Sequence, residues 1–198
     1  MKKLLAMVLC LCMLCCAAAA SAEGVVDTIK EKGVLVMGTE ATYGPYEFLD
    51  DNANPIGCDV WLAEQIAAEL GVELQVTDMA FDGIIDAVKT GMVDIGIAAF
   101  TVNEERAKVI DFSHEYEKSQ QLLIVQKGDA DKYTTVESLA GQKVGAQMGT
   151  IQSQLIEAAL PDSTLFELDT YPSLAMEVVN GNIAGFVCDY AVGMGMVA

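Results

Sequence analysis

Beyond residue 33 the chain alternates short apolar runs with longer stretches in which apolar residues return every third or fourth position, the pattern of strands interleaved with amphipathic helices. Residues 34–37 predict a strand ending at Gly38 and Thr39. Residues 59–70, DVWLAEQIAAEL, predict a helix with Val60, Ala63, Ile66, Ala67 and Leu70 on one face, Asp59 near its start and Gly71 as its stop. A strand at 73–76, a helix at 82–89 stopped by Gly91 and a third strand at 93–99 follow. The order then returns as strand 144–148, helix 151–159, strand 164–168, helix 173–179 stopped by Gly181, and strand 183–188. Alternation of this kind predicts an α/β fold with mostly parallel strands. The run QQLLIVQ at 120–126 reads as a connecting strand between two halves, giving lobes over 23–119 and 120–198.

Two local matches make the second half look like a repeat of the first. Met37-Gly38-Thr39 recurs as Met148-Gly149-Thr150, and FDGIIDAVKTGMVDIGIAAF from Phe81 aligns without gaps on YPSLAMEVVNGNIAGFVCDY from Tyr171, setting Gly91 over Gly181 and Ala99 over Asp189. Similarity at this level also arises between unrelated strand–helix–strand units. Under either origin, two open sheets presenting loops at the carboxyl ends of their strands are suited to hold a ligand between them.

The first 22 residues differ from everything after them. Lys2 and Lys3 precede an apolar run of 17 residues, 4–20, and then Ala20-Ser21-Ala22 before Glu23. This is read as a secretory signal peptide rather than a retained anchor, because the basic start, the apolar run and the small-residue cleavage site are all present. An exported protein, in the periplasm or on the outer face of the cell membrane, is the expectation. Cleavage after Ala22 leaves 29 acidic against 9 basic residues, a formal charge of −20, which argues against nucleic acid as a partner. Four of the six cysteines leave with the leader; Cys58 and Cys188, 130 residues apart, and a lone His114 lack metal-site spacing. A disulfide between them is open in an oxidising compartment, but two small buried residues are expected instead. No metal or cofactor is expected.

The chain contains a single arginine, Arg106, in FTVNEERAKVIDFS, five residues after Thr101. A guanidinium is a planar fork of donors that matches a carboxylate in two prongs, which lysine does not do. The predicted strand ends add Glu40 and Tyr43, then Ala99 and Thr101, then Gln147 and Thr150, and finally Asp189, with Phe81 opening a helix nearby. That set offers a cation for a carboxylate, hydroxyl and backbone donors beside it, an acid for an ammonium group and aromatics for apolar atoms; it complements an α-amino acid. Ordinary readings stand beside this one. Thr101 with Glu104 fits a helix capping box, Arg106 is within reach of Glu105 or Asp111 for a surface pair, and Tyr43 and Phe81 fit a core or rim. Asp189, after the apolar run GFVC, is costly inside a lobe without a partner, which favours a cleft position.

In order, GTEATYGPYEF, IGCDVWLAEQIAAELG, MAFDGIIDAVKTGMVDI, TVNEERAKVIDFS, LAGQKVGAQMGT and FVCDYAV resemble the family-3 extracellular solute-binding proteins, receptors that feed polar amino acids to ABC importers. The resemblance implies a two-lobed periplasmic binding protein-like (type II) fold. It implies that Arg106 and Thr101 hold the ligand carboxylate, Asp189 its ammonium group, and Tyr43 and Phe81 its side chain, with Glu40, Gln147 and Thr150 tuning specificity and Ala99 contributing backbone. It further implies a monomer whose lobes close on a free amino acid and then dock on a membrane permease, without catalysis. The family pattern usually has an aromatic at Cys58 and a proline at Gly44. It also continues past Ala198 with a further strand of lobe two, a return crossing and a helical segment that completes lobe one, so the chain is read as shortened at its carboxyl end. Glu40 favours a basic or amide side chain over glutamate. Two alternatives are an arogenate- or prephenate-type dehydratase on the same fold and a ligand-sensing domain.

Overall fold

The computed structural model describes residues 24–197, so the leader lies outside the described residues. Helix α1 (Val25–Lys32) leads into β1 (Val34–Thr39), the central strand of a parallel sheet in which β5 (Glu73–Asp78) and β6 (Ile95–Gly96) flank it. The β1–β5 register runs from Val34 opposite Glu73 to Thr39 opposite Asp78. A strand paired on both sides and covered on both faces must be apolar throughout, which explains its unbroken run. On one face Met37 packs with Val60, Ala63 and Ile97, and Leu35 with Ile29 and Ala67. Helix α2 (Cys58–Leu70) supplies Val60, Ala63 and Ala67, while Ile66 and Leu70 are half-buried at the margin of that face. On the other face lies helix α3 (Phe81–Thr90), whose Ile84 is fully buried.

A small antiparallel meander, β2 (Thr42–Tyr43), β3 (Glu47–Leu49) and β4 (Pro55–Ile56), sits beside this sheet. It also closes the start of α2. No side chain caps that helix; the carbonyls of Pro45 and Tyr46 accept the amides of Cys58 (3.1 Å) and Asp59 (2.9 Å). Such close backbone approach leaves no room for a side chain at Gly57, the residue before the helix.

The second sheet has the order β7 (Gln121–Val125), β10 (Gly185–Asp189), β8 (Lys143–Gln147), β9 (Thr164–Leu168), with β7 antiparallel and the others parallel. Side chains of β10 alternate between two cores. Phe186 and Cys188 join Tyr171, Leu174 and Val178 of helix α5 (Tyr171–Val179), whereas Val187 faces Val144, Ala146 and Ile156 of β8 and helix α4 (Ile151–Ala159). Helix α6 (Tyr190–Val197) follows β10 and buries Val192 in the α5 side.

Helix α4 and strand β9 keep the bounds that periodicity predicts, and the ends of the other shared elements shift by at most two residues. The third strand does not. It narrows to Ile95–Gly96, because Asp94 turns its carboxylate onto the Val36 amide (2.8 Å) and Ala99 adopts φ +48°, outside the extended region. The Thr101–Glu104 capping box does not form either. Asn103 Oδ1 accepts the Arg106 amide at 2.8 Å and opens a single 3-10 turn, Arg106–Lys108, since its carbonyl sits three residues ahead of that N–H. Cys58 and Cys188 are both free, but Cys58 is exposed rather than buried, lying off the Val60, Ala63 and Ala67 stripe of α2. The Met-Gly-Thr match is local only: Gly38 is within β1, whereas Gly149 is a turn at φ +74°. The longer match holds in three dimensions. Phe81 and Tyr171 each begin a helix, Ile84 and Leu174 are each 0% exposed, Gly91 and Gly181 both take φ +72°, and Ala99 and Asp189 both reach the same cavity.

Candidate functional site

All nine sequence-derived candidates, Glu40, Tyr43, Phe81, Ala99, Thr101, Arg106, Gln147, Thr150 and Asp189, line one cavity between the two sheets. The topology explains the convergence. β1, β6, β8 and β10 end there, while α3, α4 and α5 begin there with Phe81, Ile151 and Tyr171, so amide-bearing helix starts face the cavity. Thr150 also caps α4, accepting the Ser153 amide at 3.4 Å and donating to the Gln147 carbonyl at 2.6 Å.

Arg106 is 8% exposed and has no acidic group within 4.0 Å among the described residues, whose ion pairs are Lys32–Asp94, Lys89–Asp86 and Lys118–Glu115. Its guanidinium donates to the carbonyls of Thr101 (2.7 Å) and Gly149 (3.0 Å) and lies over the rings of Phe81 (5.5 Å) and Phe100 (5.1 Å), which themselves stack at 4.6 Å. Burial pulls its pKa down. A buried cation held by neutral carbonyls and π faces retains its full charge for an anion.

Asp189, 7% exposed at the end of β10, accepts from the Tyr43 hydroxyl (2.7 Å) and the Gln121 amide (2.6 Å). Glu40, 4% exposed, accepts from Thr42 Oγ1 (2.6 Å) and from Gln147 Nε2 (3.0 Å), whose amide also reaches the Asp169 carbonyl. Burial raises the Glu40 pKa, against those two hydrogen bonds. Several of these contacts cross between sheets: Tyr43 to Asp189, Arg106 to Gly149, Gln147 to Glu40, and the Tyr43–Tyr171 ring pair at 4.7 Å. The cavity they enclose holds about 20 Å³, room for one water. No cluster of three His, Cys, Asp or Glu among the described residues is arranged for a metal.

Sequence reasoning missed Tyr171, Glu47 and Gln152 in the lining. Tyr171 was legible in principle, as the aligned counterpart of Phe81. Gln152 and its partner Gln121 (2.9 Å) carried no signal beyond being amides among apolar neighbours.

Residues 35–160 match the model of the bacterial extracellular solute-binding proteins, family 3. The L-cystine-binding protein TcyJ of Escherichia coli K12 is 30% identical over 175 residues, covering 88% of this chain and 66% of that protein. Among solved structures, an ancestral amino acid-binding protein described as a precursor of cyclohexadienyl dehydratase superposes with a TM-score of 0.85 at 35% identity, over 88% of this chain and 78% of the other. AbpA of Streptococcus pneumoniae, an amino acid ABC transporter substrate-binding protein solved with L-arginine, superposes with a TM-score of 0.84 at 36% identity, over 86% of this chain and 73% of the other. These neighbours share the two-lobed α/β architecture. With its family model matched over most of its length, the chain belongs to the family-3 bacterial extracellular solute-binding proteins.

Proposed function

We propose that this protein binds a free α-amino acid with a basic side chain between its lobes, 23–119 and 120–198, outside the cytoplasm, and delivers it to an ABC transporter permease. The observation that carries this reading is Arg106, a buried guanidinium without an acidic partner among the described residues, in one cavity with Asp189 and Glu40. The ligand carboxylate replaces the Thr101 and Gly149 carbonyls on Arg106, its ammonium group replaces the Tyr43 phenol on Asp189, and its side-chain cation meets Glu40. Glutamate would bring two anions to one cation. A cavity of about 20 Å³ admits no amino acid unless the lobes separate, which supports hinge opening and closure around the ligand. The test is thermal unfolding of the full chain against a panel of amino acids: ligand at about 100 times its Kd stabilises by about 2.7 kcal/mol, a rise of about 5–10 °C. A panel led by glutamate, or without any shift, would overturn the reading.

Glu40→Gln removes the charge but keeps an acceptor, and is expected to weaken L-arginine by about tenfold while leaving L-glutamine unchanged, as read by calorimetric titration. Gly149→Ala addresses closure. At φ +74° a Cβ there would lie 2.8 Å from the Asp82 side chain of the facing lobe, so closure is obstructed while each sheet stays folded. L-Arginine is expected to bind about tenfold more weakly, with an unchanged far-ultraviolet circular dichroism spectrum.

A dehydratase is the second reading, favoured by the solved relative described as a precursor of one and by Glu40, whose raised pKa suits a general acid. Turnover of an arogenate- or prephenate-like acid by the full chain distinguishes the two.

A further inference from the structure

Glu47 and Asp59 make none of the contacts assigned to the ligand, yet both are buried beside the cavity, at 1% and 0% exposure. Glu47 stands on β3 and Asp59 in the first turn of α2, where the Asp59 amide donates at 2.9 Å to the carbonyl of Tyr46, the residue before Glu47, so that the two acids are buried as neighbours and each perturbs the other. Glu47 Oε2 and Asp59 Oδ1 are buried without a hydrogen-bond partner. Two ionised carboxylates in that position would repel in a desolvated site, and among the described residues neither forms an ion pair. The titratable groups around them only deepen the conflict: Glu40 and Cys58 face Glu47, and Glu117 and Tyr116 face Asp59. A proton on Glu47 resolves it, because a neutral carboxyl donates to the Asp59 carboxylate and satisfies both orphan oxygens. Burial first, and the Asp59 charge second, push Glu47 up to about 11.

The other oxygen of Asp59 shows what the pair holds. Asp59 Oδ2 accepts the Ala99 amide at 2.7 Å and the Tyr116 hydroxyl at 3.0 Å. Ala99 lines the cavity and sits at φ +48°, a left-handed conformation that a residue with a Cβ keeps only when its surroundings over-determine it. The Asp59 bond is that constraint, applied at the strand end where the backbone faces the ligand.

We propose that Glu47 and Asp59 are positioning residues: a buried carboxyl pair sharing one proton, which fixes the Ala99 backbone so that it meets the α-ammonium group of the ligand. The second half of this statement rests on the amino acid reading above; the first does not. The sign of its pH dependence is the same for both groups, since burial raises the pKa of Asp59 as it does that of Glu47. A carboxyl whose pKa is raised on folding binds a proton that the unfolded chain releases, so stability falls as pH rises from about 4.5 toward 11.

The experiment compares the full chain with Glu47→Gln, Glu47→Ala, Asp59→Ala and Asp59→Asn. It uses two readouts: thermal unfolding from pH 5 to 9 without ligand, and titration with L-arginine and with 5-guanidinopentanoate, which lacks the α-ammonium group. Glutamine donates to Asp59 at every pH, so Glu47→Gln is expected to flatten the fall in Tm and to keep the preference for arginine, which Glu47→Ala loses. Asp59→Ala is expected to lower that preference by about tenfold or more, by weakening arginine and sparing the analogue. Asp59→Asn serves if the alanine variant does not fold: its amide supplies a donor to Glu47, so the fall in Tm should likewise shrink. A Glu47→Gln profile that still follows the parent chain, or equal weakening of both ligands in Asp59→Ala, would overturn the proposal. If the parent chain binds neither ligand while Glu47→Gln still flattens the profile, the amino acid reading fails and the shared proton stands.

Discussion

Replacing Arg106 with alanine is expected to weaken L-arginine binding by about 10²–10³-fold, the consequence of leaving a buried carboxylate without its partner. The thermal shift that the parent chain shows with L-arginine should vanish at the same ligand concentration. Arg106→Lys is expected to recover only part of the loss, because an ammonium group is a point charge without the two-pronged fit. Fold stability should move the other way or hardly at all. Burial already pulls the Arg106 pKa down, and its fixed partners are neutral carbonyls and the faces of Phe81 and Phe100. Loss of the shift together with loss of cooperative unfolding would instead assign Arg106 to the fold. Retained binding in the alanine variant would remove it from the site.

Gly57→Ala is expected to be the most damaging single substitution for stability. Gly57 has φ +126° and ψ −178°, a region open only to glycine, and a Cβ there would lie 2.2 Å from the Tyr46 carbonyl oxygen and 2.9 Å from that of Pro45. Those two carbonyls also cap α2, so the side chain would both clash and uncap the helix. Strain and overpacking together should cost about 3–5 kcal/mol, lowering Tm by about 10 °C or more in a chain of this size. Chemical denaturation with an unchanged slope and a lower midpoint is the check. A midpoint within error of the parent would show that β2–β3 moves freely away from α2.

What could be read without coordinates was whatever repeats over several residues. Helix α4 and strand β9 fell within their expected bounds because periodicity over 9 and 5 residues averages out local noise. The meander escaped because two- and three-residue strands have no period to detect. The true length of β6 turned on single-residue events, the Asp94 side chain competing for the Val36 amide and the left-handed Ala99, which no pattern of apolar positions encodes. The capping error had a similar cause: Thr101 and Asn103 are both good cap residues, and only the path of the chain selects between them. Strand-end logic collected seven of the nine candidates that line the cavity, since position along an α/β unit determines which side chains meet, while Arg106 stood out as the single arginine and Phe81 as a helix start. Glu47 and Asp59 stayed hidden because their importance lies in a contact between segments 12 residues apart, and each alone looks like a surface acid.

The aligned units beginning at Phe81 and Tyr171 divide their work by position. The aliphatic at the fourth place and the glycine at the eleventh serve the fold in both copies, whereas the first, Phe81 and Tyr171, and the nineteenth, Ala99 and Asp189, face the cavity. Evolvability follows from that separation. A change at the nineteenth position alters what is recognised while the framework that folds the unit is untouched, so new specificities are reachable by single steps from a stable parent. A laboratory library confined to 99 and 189 would explore recognition, and one spread over 84, 91, 174 and 181 would mostly return unfolded chains.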